Sequence, residues 1–255
     1  MTLIDQAIEA LKLASRITAF TGAGISVESG IPPFRGATGL WNQYNPIFLD
    51  IHYFKKNTSE SWKLIKKIFY DFMGEAKPND AHFRLAQMEN AGKLQAIITQ
   101  NIDNLHQKAG SLNVYEFHGN SRDLVCMGCA SRFPVTEINL KVLPPICKNC
   151  GGILKPDFIF FGEAIPEPAN TRSFQEAEIS DVFILIGTTG EIMPASTIPF
   201  LAKKNRATII EINIAESNFT SAITDIFLKG KATEIVSELV EKLNSNRLNY
   251  DHKNH

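Results

Sequence analysis

The chain has 255 residues, and its 26 lysines and arginines against 27 aspartates and glutamates give a formal net charge of −1. This length suits one or two domains with a sizeable core, and the balanced charge argues against nucleic acid or a membrane surface as the main partner. No apolar run approaches the roughly 20 residues of a membrane-spanning helix, and the acid-containing N-terminal segment is unlike a signal peptide. We therefore expect a cytoplasmic protein.

Short apolar runs alternate with helix-like segments along the chain. The runs are rich in β-branched residues, which is typical of strands buried on both faces of a parallel sheet. We predict strands at residues 17–20, 96–99, 114–117, 182–186 and 208–212. Helices that cover such a sheet are predicted at residues 3–14, 81–91, 194–204 and 232–243. The alternation indicates an α/β fold with a Rossmann-like parallel sheet.

Two stretches interrupt this alternation and predict a smaller lobe. Residues 36–79 form a helical module, with a helix expected at 59–72, and residues 122–155 form a module that contains all four cysteines. The large domain then consists of residues 1–35, 80–121 and 156–255. A cleft between the lobes, at the carboxyl ends of the strands, is the expected place for a ligand.

A glycine-rich segment follows the first predicted strand. Gly22, Ala23 and Gly24 let the backbone approach a pyrophosphate closely and leave N–H groups to bind it. The usual G-x-G-x-x-G pattern is incomplete, because a valine stands at the third glycine position, so a structural turn is the alternative. Further on, Phe34 and Arg35 lie on a proline-stiffened loop that could close over a nucleotide, or be a rigid surface loop.

Polar residues follow the second and third predicted strands. Gln100, Asn101, Ile102 and Asp103 leave the second, and their amide and carboxylate groups suit ribose hydroxyls and a carboxamide. The alternative is a helix cap, which Asn and Asp favour. His118 ends the third strand next to a glycine and is the candidate general base, since histidine titrates near neutrality. A structural or metal-binding histidine is its alternative.

The cysteines predict a metal site. Two Cys-x2-Cys pairs, Cys126 with Cys129 and Cys147 with Cys150, are separated by 17 residues. Each pair can place two thiolates on one turn, and together they complete a closed tetrahedral zinc site. No coordination position is left for a catalytic water, so we expect one structural Zn²⁺ per chain. A disulfide or redox pair is the alternative.

Three later segments carry weaker signals. Residues 155–163 are extended and apolar, so they could pair with a peptide by strand addition or form a core strand. Gly187, Thr188 and Thr189 follow the fourth predicted strand, and Asn213 follows the fifth. Polar groups thus gather again at the carboxyl edge of the sheet, although turn chemistry alone would explain them.

Taken in this order, the motifs resemble those of the sirtuins of bacterial and archaeal type, which are NAD-dependent protein lysine deacylases. The resemblance runs from Phe20 to about Ala232 through the GAGIS, ESGIP, TQNID and HG motifs and the four cysteines. It implies NAD as co-substrate, one zinc ion, and an acyl-lysine protein or peptide as partner. The substrate amide oxygen attacks the ribose C1′, nicotinamide leaves, and the acyl group moves to ADP-ribose, with His118 as general base.

The resemblance also implies binding roles for individual residues. Asn101 orders a water or a ribose hydroxyl near His118. The residues implied to bind NAD are Gly22, Ala23, Gly24, Phe34, Arg35, Gln100, Asn101, Ile102, Asp103, Gly187, Thr188, Thr189, Asn213, Lys231 and Ala232. Those implied to bind the acyl-lysine are Ile159, Phe160, Gly162 and Glu163.

The helix predicted at 59–72 bears on which acyl group on the lysine the protein prefers. Desuccinylating sirtuins carry a Tyr-x2-Arg pair there, and this chain has none in that register, so we expect acetyl or longer neutral acyl groups to be preferred over succinyl. Two alternatives to deacylation stay open: a protein mono-ADP-ribosyltransferase, and a non-catalytic module that binds NAD or acyl-lysine. The intact His118 argues against the second, because a pure binding module needs no general base.

Overall fold

The computed structural model describes residues 1–36 and 39–251, with side chains up to residue 245. Nine strands lie in these residues: β1 (Ile17–Thr21), β2 (Leu94–Thr99), β3 (Val114–Glu116), β4 (Gly119–Cys126), β5 (Arg132–Pro134), β6 (Leu154–Phe158), β7 (Val182–Ile186), β8 (Thr208–Asn213) and β9 (Ile226–Lys229). They form one six-stranded and one three-stranded sheet. All five predicted strands belong to the six-stranded sheet, so the predicted α/β class is confirmed.

The six-stranded sheet is parallel throughout and has the order β3-β2-β1-β7-β8-β9. The chain moves outward from β1 to β3 and then returns to β7 on the other side of β1, so the order reverses between β1 and β7. Open parallel sheets bind ligands at the carboxyl ends of the strands beside such a reversal. The segments that follow β1 and β7 therefore flank the expected ligand position.

Eight α-helices occur in the described residues: α1 (Leu3–Leu13), α2 (Ile51–Lys56), α3 (Thr58–Ile65), α4 (Asp80–Asn90), α5 (Leu105–Lys108), α6 (Ala169–Ile179), α7 (Thr197–Lys204) and α8 (Ala232–Asp251). Four of them, α1, α4, α7 and α8, correspond to the predicted covering helices. The helix predicted at 59–72 begins as α3 and continues over Lys66–Phe72 as a π-helix. Within the described parts of the chain, none of the helices combines the length and the apolar character needed to cross a membrane.

Helix α1 shows how local sequence sets these elements. The Thr2 hydroxyl accepts the Asp5 N–H (3.2 Å), and the Asp5 carboxylate accepts the Thr2 N–H (2.9 Å). This reciprocal capping box satisfies N–H groups that the start of a helix leaves without partners. Ala7, Ile8 and Leu11 then recur at helical spacing and are buried, so one face of α1 packs on the sheet.

Helices cover both faces of the six-stranded sheet. On one face α1, α4 and α8 contribute Ile8, Leu85 and Leu239 to a core that also contains strand residues. On the other face α6 and α7 contribute Ala177 and Ile198 to a second core. Because β1, β2, β7 and β8 each supply buried residues to both cores, these strands are apolar on both faces, which explains the continuous apolar runs in the sequence.

The smaller lobe has a core of its own. Strands β4, β5 and β6 form its antiparallel sheet in the order β5-β4-β6, and α2, α3 and the π-helix pack with it. The core is rich in aromatic residues, which include Phe48, Phe54, Trp62, Phe69, Phe158 and Phe160, and it also contains Cys126 and Cys147.

The strands β4 and β6 connect the two lobes. The expected boundaries at 121/122 and 155/156 fall inside these strands, so the backbone is continuous and hydrogen-bonded where the lobes meet. The three-part division of the chain stays a prediction, and residues 37, 38 and 252–255 of its ranges lie outside the described residues.

Candidate active site

Gly24 and Gly187 lie in contact at the reversal between β1 and β7. The Gly24 N–H donates to the Gly187 carbonyl oxygen (2.8 Å), and a Cβ built on Gly24 would lie 2.5 Å from the Gly187 Cα. Gly187 also has a φ of +61°, so neither position accepts a side chain. The segment Ala23–Ser29 then forms a 3-10 helix. Its first N–H, that of Ala23, donates no hydrogen bond to the described residues and is available to an anion.

Asn101 is buried directly after β2. Its Nδ2 donates to the Gly22 carbonyl oxygen (3.1 Å) and to the Ser26 hydroxyl (3.3 Å), and its backbone N–H donates to the Thr99 hydroxyl (3.1 Å). These bonds hold the side chain against the glycine loop. Because the amide hydrogens face the chain, Oδ1 is the atom left for a ligand or a water.

Asp103 joins the same loop to helix α5. Its carboxylate accepts the Ser26 hydroxyl (2.7 Å) and the Leu105 N–H (3.0 Å). Burial raises the pKa of Asp103, and the hydrogen bonds from Leu105 and Ser26 partly oppose this shift. Asp103 therefore accepts the first N–H of α5, although the N-cap position itself is Asn104, and it also contacts the glycine loop. The Ile102 carbonyl accepts hydrogen bonds from the Ser121 N–H and hydroxyl.

Ser26 connects two predicted site residues, Asn101 and Asp103, but sequence reasoning did not single it out. Its position inside the GAGIS motif, directly after the glycine pair, was the available signal. It is fully buried, so its hydroxyl serves the protein's own hydrogen bonds.

The loops after β2, β7 and β8 form a hydrogen-bonded row. The Gln100 Nε2 donates to the Thr188 hydroxyl (3.0 Å), and the Asn213 Nδ2 donates to the Thr188 carbonyl (3.0 Å). The Thr189 carbonyl accepts the Asn218 N–H (3.0 Å). Four residues predicted to bind the cofactor thus lie together at the carboxyl edge of the sheet.

Lys231 and Ala232 lie at the start of α8 on the same edge. Ala232 is buried, whereas Lys231 is exposed and pairs with Glu234 (3.5 Å). The next N–H, that of Thr233, donates to the Glu28 carboxylate (3.3 Å). The start of α8 is therefore held beside the 3-10 helix that follows the glycine pair.

Phe34 and Arg35 point in different directions. The Phe34 ring stacks on Trp41, with 5.1 Å between ring centroids, and packs against Phe69 in the smaller lobe. The Arg35 guanidinium pairs with Glu191 (3.0 Å), and both side chains are exposed. Phe34 thus belongs to the smaller lobe, while Arg35 bridges to the loop after β7.

His118 stands between β3 and β4, and its ring is held in one orientation. The Nδ1–H donates to the Gln100 carbonyl oxygen (2.9 Å). A carbonyl oxygen only accepts, so Nδ1 carries the hydrogen and Nε2 presents a lone pair. Burial lowers the pKa of His118, and the hydrogen bond to Gln100 partly opposes this shift. A neutral imidazole with a free Nε2 can accept a proton from a bound substrate.

The segment after β6 is tied to His118. The Ile159 N–H donates to the His118 carbonyl (2.9 Å). The Phe160 ring is buried in the aromatic core of the smaller lobe, and its N–H donates to the Glu163 carboxylate (2.6 Å). Gly162 has a φ of +91°, which allows this tight return of the chain. The four predicted substrate-binding residues therefore form one compact turn.

Lys155 anchors this turn, and sequence reasoning gave it no role. Its buried Nζ donates to the carbonyls of Pro156 (2.8 Å) and Phe158 (2.7 Å) and lies 2.9 Å from the Glu163 carboxylate. It also lies 4.2 Å from the centre of the Phe160 ring. Burial lowers the pKa of Lys155, and the charge and hydrogen bond of Glu163 oppose this shift. A lysine in an apolar run was the only signal.

The four cysteines converge in the smaller lobe. Their sulfur atoms all lie within 4.8 Å of one another; Cys126 and Cys150 are 3.4 Å apart, and Cys129 and Cys147 are 3.7 Å apart. Tetrahedral zinc with Zn–S bonds of about 2.3 Å places its thiolates about 3.8 Å apart. Backbone N–H groups also donate to the sulfurs of Cys126, Cys147 and Cys150, so the cluster fits one zinc ion.

Comparison with known proteins gives a consistent picture. The model of the Sir2 family matches residues 22–194. The chain is 42% identical to an NAD-dependent protein deacylase of Pyrococcus furiosus over 251 residues, which cover 94% of this chain and 98% of that protein. It is 41% identical to NAD-dependent protein deacetylase 1 of Pyrobaculum aerophilum over 242 residues, 94% of each chain.

A solved structure with a similar fold contains a peptide and an acetylated ADP-ribose. It is a Sir2 variant with a deacetylated p53 peptide and 3′-O-acetyl-ADP-ribose, 30% identical to this chain, with a TM-score of 0.89. The match covers 94% of this chain and 98% of the other.

Proposed function

The chain belongs to the Sir2 family, the sirtuins, and is an NAD-dependent protein lysine deacylase; we propose that His118 is its general base. The observation that carries this proposal is the hydrogen bond from His118 Nδ1 to the Gln100 carbonyl (2.9 Å). It places the hydrogen on Nδ1 and leaves Nε2 as the basic atom of the ring. Gln100 also belongs to the hydrogen-bonded row at the carboxyl edge of the sheet. The same residue therefore contacts both the base and the predicted NAD site.

The residues around the reversal between β1 and β7 suit NAD. The free Ala23 N–H at the start of a 3-10 helix is a donor for a pyrophosphate, and Asn101 Oδ1 is an acceptor for a ribose hydroxyl or a water. NAD, when bound, supplies the ribose carbon that the acyl oxygen attacks, nicotinamide as leaving group, and the hydroxyl that receives the acyl group. His118 Nε2 would accept the proton of that hydroxyl, while Asn101 Oδ1 would accept a hydrogen bond from a water or a neighbouring ribose hydroxyl.

The partner that follows from this activity is a protein with an acyl-lysine. We propose that the turn over residues 159–163 pairs with the peptide on either side of that lysine. The turn is preformed, since the Lys155–Glu163 pair and the bond from Ile159 to His118 hold it. The acylated side chain can therefore reach Nε2 of His118 without the protein having to order this segment first.

We further propose a preference for acetyl and longer neutral acyl groups over succinyl. Along residues 58–72, Ile65 and Phe69 are buried in the core of the smaller lobe, whereas the cations face elsewhere. Lys66 pairs with Asp71 (2.6 Å), and the Lys67 ammonium lies 5.5 Å from the centre of the Tyr44 ring. Lys66 and Lys67 are thus engaged and Lys63 is exposed, and this stretch has no Tyr-x2-Arg pair to hold the second carboxylate of a succinyl group.

The zinc site should be structural and the compartment reducing. Four thiolate ligands fill a tetrahedral zinc site, so the metal has no position for a reacting water. Thiolates that hold a metal rather than form disulfides fit the cytoplasm, which is the location we propose.

Mass spectrometry of the products from NAD and an acetyl-lysine peptide tests the activity. We expect deacylated peptide, nicotinamide and O-acetyl-ADP-ribose in equal amounts, with slower turnover of the matched succinyl peptide. A peptide or protein that gains ADP-ribose would instead indicate a mono-ADP-ribosyltransferase, and unchanged reactants would indicate a binding module. Faster turnover of the succinyl peptide would contradict the acyl preference alone.

A further inference from the structure

A cavity of about 500 Å³ opens beside the turn that we propose as the peptide-binding segment. Helix α2 forms one wall with His52 and Lys55, and β6 forms another with Lys155 and Asp157. Ile159, Gly162 and Glu163 of the turn form the third. His118 and the predicted NAD residues do not line it, so the cavity adjoins the reaction site and shares with it only the predicted peptide-binding turn.

The acidic groups of this cavity are already neutralised. The Glu163 carboxylate is held by Lys155 at 2.9 Å and by the Phe160 N–H at 2.6 Å. The Asp157 carboxylate pairs with Arg132. Neither carboxylate is therefore left to attract a cation from a substrate.

The basic groups of α2 are not neutralised. Lys55 and His52 are exposed, and neither side chain forms an ion pair or a hydrogen bond with any residue that the structure describes. Since the pairs Lys155–Glu163 and Arg132–Asp157 carry no net charge, Lys55 leaves the cavity with one uncompensated positive charge. His52 adds an imidazole that can form hydrogen bonds.

Helix α2 is held against the turn by backbone hydrogen bonds. The Ile51 N–H donates to the Phe161 carbonyl (3.1 Å), and the Phe161 N–H donates to the Leu49 carbonyl (2.8 Å). Lys55 lies one helical turn after Ile51, so its position relative to the turn is set by the backbone and does not depend on a flexible loop. A peptide that pairs with residues 159–163 consequently passes the cavity with residues that flank its acyl-lysine.

We propose that this cavity is a subsite that selects an aspartate or glutamate close to the acyl-lysine of the substrate protein, with Lys55 as the specificity-determining cation. The proposal rests on the proposed deacylase function. An exposed ion pair is weak and acts mainly through electrostatic complementarity, so the expected preference is about 2- to 5-fold in kcat/KM at low salt.

Pairs of acetyl-lysine peptides test this subsite. In each pair one flanking position, from two before to two after the acetyl-lysine, carries Glu in one peptide and Gln in the other. For the wild-type protein, kcat/KM should favour Glu by about 2- to 5-fold at one position at least, and the ratio should fall towards one at high salt. A ratio of one at every position at low salt would overturn the proposal.

Two charge-reversal variants identify the residue responsible. Lys55→Glu should invert the preference, so that the Gln peptide becomes the better substrate. Lys56→Glu is the matched control, because Lys56 is an exposed neighbour on the same helix that does not line the cavity, and it should keep the wild-type ratio. An unchanged ratio in Lys55→Glu, or an equal loss in Lys56→Glu, would contradict the assignment.

The Gln peptides separate this proposal from the activity on which it rests. If the wild-type protein fails to deacylate them, the proposed function is wrong. If it deacylates them but shows no preference for Glu, the function stands and the acidic subsite is wrong.

Discussion

The imidazole of His118 donates its Nδ1 hydrogen to the backbone carbonyl of Gln100 across 2.9 Å. The side chain of Gln100 in turn donates to the Thr188 hydroxyl across 3.0 Å. One residue thus fixes the tautomer of the proposed base through its backbone and contacts the loop after β7 through its side chain. The position of the base therefore depends on Gln100, which directly follows β2 and whose N–H donates to the Thr21 carbonyl of β1 (2.9 Å).

The pH dependence of kcat/KM should report a histidine with a lowered pKa. Burial lowers the pKa of His118 below its ordinary value of 6.5, although the bond to Gln100 opposes this. A general base acts in its neutral form, so a lowered pKa keeps it active to a lower pH. We expect the acid limb of the profile, measured with a neutral acetyl peptide, to have its midpoint below 6.5. A midpoint above that value would contradict this environment for His118.

Ser26→Ala should weaken NAD binding. The hydroxyl donates to Asp103 (2.7 Å) and accepts from Asn101 (3.3 Å), and its loss leaves a half-buried carboxyl short of a donor. Hydrogen bonds to charged groups contribute about 1.5–3 kcal/mol, so kcat/KM for NAD should fall roughly 10- to 100-fold. Ser29→Ala is the control, because the Ser29 hydroxyl contacts Asn79 instead (3.0 Å). Equal effects of both substitutions would argue for a general loss of packing.

Lys155→Met should raise the KM for the peptide more than the KM for NAD. It leaves the half-buried Glu163 carboxylate without its cation, although the Phe160 N–H still donates to it. The cost in the free energy of unfolding should therefore lie below the roughly 3–5 kcal/mol of a fully buried pair. Lys155→Arg keeps the charge and the donors and should recover most of the peptide affinity.

A surface pair serves as the control for Lys155. Lys148 pairs with Glu137 at 3.5 Å, and the two side chains are 63% and 55% exposed, so Lys148→Met should change stability by only about 0–1 kcal/mol. If Lys155→Met lowered the melting temperature but left the ratio of the two KM values unchanged, Lys155 would be merely structural.

Zinc should be present in one equivalent per chain and should not take part in the reaction. Elemental analysis of the purified protein tests the stoichiometry, and Cys129→Ser should lower both the zinc content and the melting temperature, because structural zinc contributes directly to folding. Replacement of zinc by cobalt should leave kcat unchanged within about twofold, since the closed site holds no reacting water. A large change in kcat with the metal would contradict a structural role.

The sequence predicted the sheet and its ligand-binding edge because those signals are local. Buried parallel strands carry runs of apolar and β-branched residues, which identified β1, β2, β7 and β8. The half-buried β3 was recognised from the run at residues 114–117 that leads into His118. Strand β9 was missed because its apolar run ends after three residues, at Lys229, and is shorter than the runs that were predicted as strands. Helix α6 was missed because its hydrophobic stripe is weak and only Ser173, Glu176 and Ala177 are buried.

Side-chain contacts between segments that are distant in the sequence could not be predicted from it. The Lys155–Glu163 pair joins residues whose geometry depends on the turn between them, and Arg35 pairs with Glu191 across 156 positions of sequence. The same holds for the bond from Ser26 to Asp103, which spans 77 positions. Spacing rules describe neighbours within one helix or strand, so they cannot reveal which loops meet at the edge of a sheet.

The His118→Ala variant tests the central claim most directly when two reactions are measured on the same sample: exchange of labelled nicotinamide into NAD, and formation of O-acetyl-ADP-ribose. The base is needed only after nicotinamide has left, so the variant should retain exchange that depends on the acetyl peptide. Its product formation should fall by about 10²- to 10⁴-fold. Product formation at the wild-type rate would contradict the assignment of His118 as the general base.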